Sequence, residues 1–119
     1  MFLTFCKGKI HRATVTGAEL DYEGSITIDE YLVNAAGFFE GQQVHINNLS
    51  NGKHWETYVL RGEPGEGEIC LNGPPAHLFK KGDLVIILAY VQVHDSEAVD
   101  MKPTTVFVDS KNQLIGVKP

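Results

Sequence analysis

The chain has 119 residues, enough for one compact domain around a single hydrophobic core. Lys and Arg number 10 against 15 Asp and Glu, and the net charge of -5 opposes the concentrated basic face that nucleic acid needs. No run approaches the roughly 18 to 20 apolar residues that span a bilayer, and the opening MFLTFCKGK turns polar too soon for a secretory signal. A cytoplasmic protein with neither a nucleic-acid nor a membrane partner is expected. Cys6 and Cys70 stand alone, outside any CxxC pair, and read as ordinary buried thiols.

In chain order, the β-like Ile26-Thr27-Ile28 comes first. Asp29 can then cap a short helix in which Tyr31, Leu32, Ala35 and Ala36 recur at helical spacing, and Gly37 can end it in the left-handed conformation. Gln43 to Leu49 and Trp55 to Leu60 read as strands, with Asn51-Gly52 between them predicting a two-residue type I′ turn and a hairpin over Val44 to Leu60. Gly62 to Gly67 is a turn-rich connector before a strand at Glu68 to Leu71. Gly73-Pro74-Pro75 begins another loop, because neither proline can donate to a ladder. Leu84 to Val93 and Thr104 to Asp109 complete the strands, and the Lys102 to Pro119 tail is expected to be partly mobile. So many strands in so short a chain predict a mainly β protein that closes into a small barrel and hides its edges.

Tyr22-Glu23-Gly24-Ser25 is the segment with local chemistry. A serine Oγ can attack the carbonyl of the preceding residue if the backbone is held bent, and a glycine there permits strained or left-handed dihedrals at low steric cost. The resulting ester can eliminate across Cα and Cβ to dehydroalanine, which hydrolyses to an N-terminal pyruvoyl group. By itself, Gly-Ser is among the commonest loop dipeptides and reads first as a plain turn.

The order and spacing of Lys9-Ile10-His11-Arg12, Tyr22-Glu23-Gly24-Ser25 with Ile28-Asp29, Asn51-Gly52-Lys53, Thr57-Tyr58, Asn72-Gly73 and Gly82-Asp83-Leu84-Val85-Ile86-Ile87 resemble the pyruvoyl-dependent aspartate 1-decarboxylases over nearly the whole chain. The resemblance implies a small six-stranded double-psi β-barrel with one or two short helices, a single domain over residues 1–119, and a homotetramer with sites between subunits. It implies self-cleavage at Gly24-Ser25 into residues 1–24 and 25–119, with Ser25 becoming a covalent pyruvoyl group and no requirement for a metal or pyridoxal phosphate. That ketone would form a Schiff base with a small amino acid, aspartate, and drive its decarboxylation to β-alanine for pantothenate and coenzyme A. By the same resemblance Tyr58 matches the proton donor and Thr57 the hydroxyl that assists cleavage and lies at the substrate. Lys9 matches a basic group near the substrate carboxylates, and Asn72, Gly73, Pro74 and Pro75 the loop around the substrate. His11 matches a histidine near the site.

Two departures from the family bear on specificity. The family carries arginine where His54 stands, and an imidazole cannot reproduce its two-pronged, permanently charged grip on a carboxylate. It also carries alanines in place of Pro74 and Pro75, whose fixed φ angles stiffen that wall. Decarboxylation of another small amino acid, or an uncleaved non-catalytic barrel, stay open as alternatives. Period-2 alternation from the turn puts His54, Glu56 and Tyr58 on one strand face and Lys53, Trp55 and Thr57 on the other, so one ideal strand cannot aim Thr57 and Tyr58 into one pocket. His45, His77 and His94 are scattered at spacings that fit no metal-ligand pattern. Asp95, Glu97 and Asp100 read as a solvated acidic stretch.

Overall fold

The computed structural model describes residues 1–119. Its strands are β1 (Phe2–Thr14), β2 (Gly17–Glu19), β3 (Ser25–Asp29), β4 (Gln43–Asn48), β5 (His54–Gly62), β6 (Ile69–Asn72), β7 (Leu84–His94), β8 (Thr104–Val108) and β9 (Leu114–Lys118). Helix α1 (Glu30–Ala36) follows β3, α2 (Asp95–Ala98) follows β7, and Pro74–His77 forms a 3-10 turn. The mainly β expectation holds, but the strands number nine rather than six. β2, β8 and β9 are the additions, short strands laid on the outer ends of the strand order.

That order is β2-β6-β3-β5-β4-β7-β1-β8-β9. β1 and β2 are nearly consecutive in the chain, yet β2 pairs with β6 in parallel at the far end of the order. The sheet must therefore curl round to bring its ends together. Thr16 N–H donating to Ile69 O at 2.8 Å and Ile69 N–H donating to Thr16 Oγ1 at 2.9 Å fasten this seam, while Val15 N–H donating to Asp83 O continues the β1–β7 ladder. Inside lie Ile10, Ile26, Ile28, Val44, Ile46, Val59, Leu71, Val85 and Ile87, all fully buried, with Leu32 and Val33 of α1 capping the same cluster. Each such side chain contributes about 1.5 to 3 kcal/mol of burial, so the fold rests on this core and not on the outward-facing polar groups.

Helix α1 forms as the sequence predicts. The Asp29 carboxylate accepts from Tyr31 N–H at 2.8 Å and Gly37 closes the helix at φ 73°. Asp29 also accepts from Gly65 and Gly67 N–H, which ties the connector before β6 to the helix start. The β4–β5 hairpin is present, but its turn is not the two-residue type I′. Asn48 N–H donates to Lys53 O, and of the loop residues only Gly52 has positive φ. The longer loop follows from Asn48, which is buried with its amide donating to Asp83 at 2.8 Å and so stops β4 early. Asn48 and Asn51 then fold the loop by accepting from Ser50 and Lys53 N–H.

The tail forms β8 and β9 and is anchored at one residue. Asn112 is buried at φ 58°, and its amide donates to Thr14 O and Gly67 O while accepting from Thr14 N–H. Cys6 and Cys70 are free and half-buried rather than buried; partial desolvation raises both thiol pKa values. No helix is long and apolar enough to cross a membrane.

Candidate active site

Ser25 opens β3 and pairs with Asn72, the last residue of β6. Ile26 and Ile28 point into the core beside Leu71 and Ile69, so alternation turns Ser25, Thr27 and Asn72 to the outer face. Ser25 is nevertheless fully buried. The Asn72 amide donates to Ser25 Oγ at 2.9 Å and to Thr27 Oγ1 at 3.0 Å, and Ser25 Oγ lies 3.5 Å from Glu23 O. Thr27 thus shares the amide that holds Ser25, a role sequence reading missed because a strand threonine carries no distinguishing signal.

The segment before Ser25 lies against the segment after Asn72. A Cβ at Gly73 would stand 2.8 Å from Tyr22 O and 3.0 Å from Gly24 Cα and N, and Gly73 adopts φ 81° and ψ -143°. The glycine-only backbone near Ser25 is therefore at Gly73. Gly24 is not among the glycines with positive φ, and a Cβ there would meet only Pro74 Cδ at 3.8 Å. Pro74 starts the 3-10 turn and Pro75 is buried within it. Gly24, Ser25, Asn72, Gly73 and Pro74 are thus gathered in one place.

Among the other candidates, Tyr58 lies next to this group. β3 and β5 run parallel with Ile26 opposite Val59, so Ser25 and Tyr58, each one residue earlier, share the outer face on adjacent strands. Tyr58 is 38% exposed, leaving its phenol open to a ligand. Thr57 is half-buried on the opposite face with Trp55 and Val59, as alternation predicts. His54 is exposed at the start of β5, its Nδ1 2.7 Å from Asn47 Oδ1 and its Nε2 3.4 Å from Glu56 Oε2.

Lys9 is not beside Ser25. Register runs from Lys9 to Leu88, from Leu88 to His45, and from His45 to Glu56, which places Lys9 four strand steps from β3. Lys9 instead lines a cleft of about 270 Å³ with His11, Thr105, Phe107 and Lys118. His11 packs edge-on against Phe107 at 5.8 Å, and its Nδ1 is buried without a hydrogen-bond partner. One chain therefore gathers Gly24, Ser25, Asn72, Gly73 and Pro74, while Lys9 lines a separate cleft and Thr57 lies on the opposite face of β5.

A family model described as aspartate decarboxylase matches residues 1–115. The aspartate 1-decarboxylase of Corynebacterium efficiens is 52% identical over 117 residues, covering 98% of this chain and 86% of that protein. That of Acetivibrio thermocellus is 52% identical over 118 residues, covering 99% and 94%. That of Clostridium beijerinckii is 53% identical over 114 residues, covering 96% and 92%.

Proposed function

The chain belongs to the aspartate decarboxylase family, and from that premise we propose that it cleaves itself between Gly24 and Ser25 and decarboxylates L-aspartate to β-alanine and CO2. The observation that carries the cleavage step is the buried Ser25 Oγ held by the Asn72 amide beside the Gly73–Pro74 wall. Ser25 Oγ is the local nucleophile for the Gly24 carbonyl carbon. Because Asn72 N–H donates to Oγ, the serine proton is left free to point toward a carbonyl oxygen such as Glu23 O. Burial excludes bulk water from the peptide bond, which favours internal attack over direct hydrolysis.

The residues around Ser25 fit a pyruvoyl group formed in place, since the Asn72 amide that now donates to Oγ is a ready donor to an oxygen at the same position. Such a group supplies a ketone that acts as the electron sink for loss of the substrate's α-carboxylate. Tyr58 gives a proton to the carbon that loses CO2, a role supported by its position on the adjacent strand and the same face. Gly73, Pro74 and Pro75 form a fixed wall that limits substrate size. Lys9 of a neighbouring copy supplies a basic group for the carboxylates; His54 is engaged by Asn47 and Glu56, and Thr57 lies on the face of β5 turned away from Ser25.

The separation of Lys9 from Ser25 supports a site completed by a second copy of the chain, in a homotetramer. Exposed apolar side chains on the outer surface, among them Phe2, Phe39, Ile115 and Val117, provide area for such contacts.

Mass spectrometry of the purified protein, alongside β-alanine formation from aspartate, tests the proposal. Fragments of residues 1–24 and 25–119, the second starting with a pyruvoyl group, are expected, together with an uncleaved, inactive but folded Ser25→Ala variant. Two fragments from Ser25→Ala would overturn the Ser25 mechanism, and a wild-type chain that stays whole would leave a barrel without this activity.

A further inference from the structure

We propose that His45, His54 and Glu56 form a binding site for a divalent cation of the zinc class on the outer face of the β4–β5 hairpin. The spacing of these residues in sequence hides the site, and the hairpin register makes it. His45 lies directly across from Glu56, and His54 across from Asn47, so alternation sends all four side chains to the same outer face.

The candidate ligand atoms of His45, His54 and Glu56 all lie within 4.8 Å of one another. His45 Nε2 is 3.8 Å from Glu56 Oε1, and His54 Nε2 is 3.4 Å from Glu56 Oε2. Ligands about 2.0 to 2.1 Å from a tetrahedral zinc ion stand about 3.4 Å apart, so the cluster is near that geometry before any ion arrives. The side chains are 30 to 48% exposed, which leaves them room to rotate through the remaining distance.

The hydrogen bonds point the same way. With Asn47 Oδ1 accepting at 2.7 Å, His54 carries its proton on Nδ1. His54 Nε2 then presents a lone pair to Glu56 Oε2, which is also an acceptor when ionised. Two acceptors facing each other, with a second imidazole nitrogen beside them, require a proton or a cation between. An outer-shell amide that fixes the tautomer of a ligating imidazole is a usual companion of metal sites. Two imidazoles and one carboxylate suit Zn2+, Ni2+, Co2+ or Cu2+ over Ca2+ and Mg2+. Three protein ligands leave the fourth position open.

The test is calorimetric titration of the chelator-stripped full chain with Zn2+, without substrate, so its outcome is independent of decarboxylation. One Zn2+ per chain is expected, with a rise in melting temperature on binding and no displacement by excess Mg2+. His45→Ala and Glu56→Gln are expected to remove this binding. Asn47→Ala, which keeps every ligand, is expected to weaken it by about tenfold through loss of tautomer control. The Met1 amine lies 3.5 Å from His94 Nε2 and 3.9 Å from Asp95, so His94→Ala is the control and is expected to bind as wild type does. Binding that disappears with His94→Ala, or Zn2+ affinity equal in wild type and His45→Ala, would overturn the proposal and leave the cluster held by a shared proton. The residues are on the surface, and far-ultraviolet circular dichroism of each variant separates lost binding from lost fold.

Discussion

Asn72 holds Ser25: its amide donates to the serine Oγ at 2.9 Å and, through the same nitrogen, to Thr27 Oγ1 at 3.0 Å. The bond fixes the rotamer of the only nucleophile next to the Gly24 carbonyl. Asn72→Ala is expected to slow self-cleavage by roughly tenfold, equivalent to losing a buried hydrogen bond of about 1.4 kcal/mol. The time course of intact and cleaved masses checks this, and an unchanged rate would mean that Ser25 is oriented by its backbone alone.

Gly73 packs the turn that follows β6 against Tyr22 and Gly24. Its φ of 81°, and the 2.8 Å that would separate a Cβ there from Tyr22 O, make any L side chain strained at this position. Gly73→Ala is expected to cost about 1 to 3 kcal/mol in stability. It is also expected to impair the proposed cleavage, because the displaced neighbours are Tyr22 and Gly24. Gly24→Ala, whose Cβ meets only Pro74 Cδ at 3.8 Å, is expected to perturb the fold less, and thermal melts of the two uncleaved variants compare them directly.

Tyr58 shares a face with Ser25, and its phenol has no structural partner to lose. Tyr58→Phe is therefore expected to mature normally and melt near the wild-type temperature while turnover falls by about 100-fold or more, the usual contribution of a positioned proton donor. Full turnover per pyruvoyl would remove Tyr58 from the chemistry.

Much of this was legible in the sequence. Asp29 and Gly37 mark the ends of α1, and the strand from Leu84 to His94 announces itself as a β-branched run. β1 did not, because register shifts between Cys6 and Gly8 and between Ile10 and Ala13 break its period-2 pattern, and Arg12 takes φ 58° at the second. The tail looked free because its anchor is one buried asparagine, Asn112, whose partners lie 98 and 45 residues away. The meeting of His45 with His54 and Glu56 was equally invisible, since it depends on cross-strand register rather than on any spacing along the chain.

Asp83 links stability to pH. Burial raises its pKa, but hydrogen bonds from the Asn48 amide and Lys80 N–H, with the nearby Lys80 charge, outweigh that and hold it below the ordinary carboxylate value. A carboxylate with a lowered folded pKa contributes stability that is complete above its unfolded value of about 3.9 and is lost as pH falls through the lower folded value. Melting temperature is expected to drop below about pH 4 more steeply in wild type than in Asp83→Asn, which is less stable at neutral pH. Parallel acid profiles for the two proteins would reveal no role for Asp83 in this loss.

The proposed substrate grip is tested at His54. Its Nδ1 is engaged by Asn47 and its Nε2 faces the Glu56 carboxylate, so neither nitrogen is free for a substrate carboxylate, and Glu56 adds repulsion. An arginine here would offer two parallel charge-assisted bonds to a carboxylate, each about 1.5 to 3 kcal/mol, while a further N–H could still satisfy Glu56. Even one such bond corresponds to roughly a tenfold or greater change in transition-state stabilisation. His54→Arg is therefore expected to raise kcat/KM for aspartate by about tenfold, mainly through a lower KM, with less effect on a substrate that lacks the side-chain carboxylate. The rates are measured per pyruvoyl group and in chelator, so that neither maturation nor a cation at His45 and Glu56 contributes to the difference. Equal rates would place the grip on Lys9 supplied by a neighbouring copy, and would leave Pro74 and Pro75 as the features of this chain that shape substrate choice.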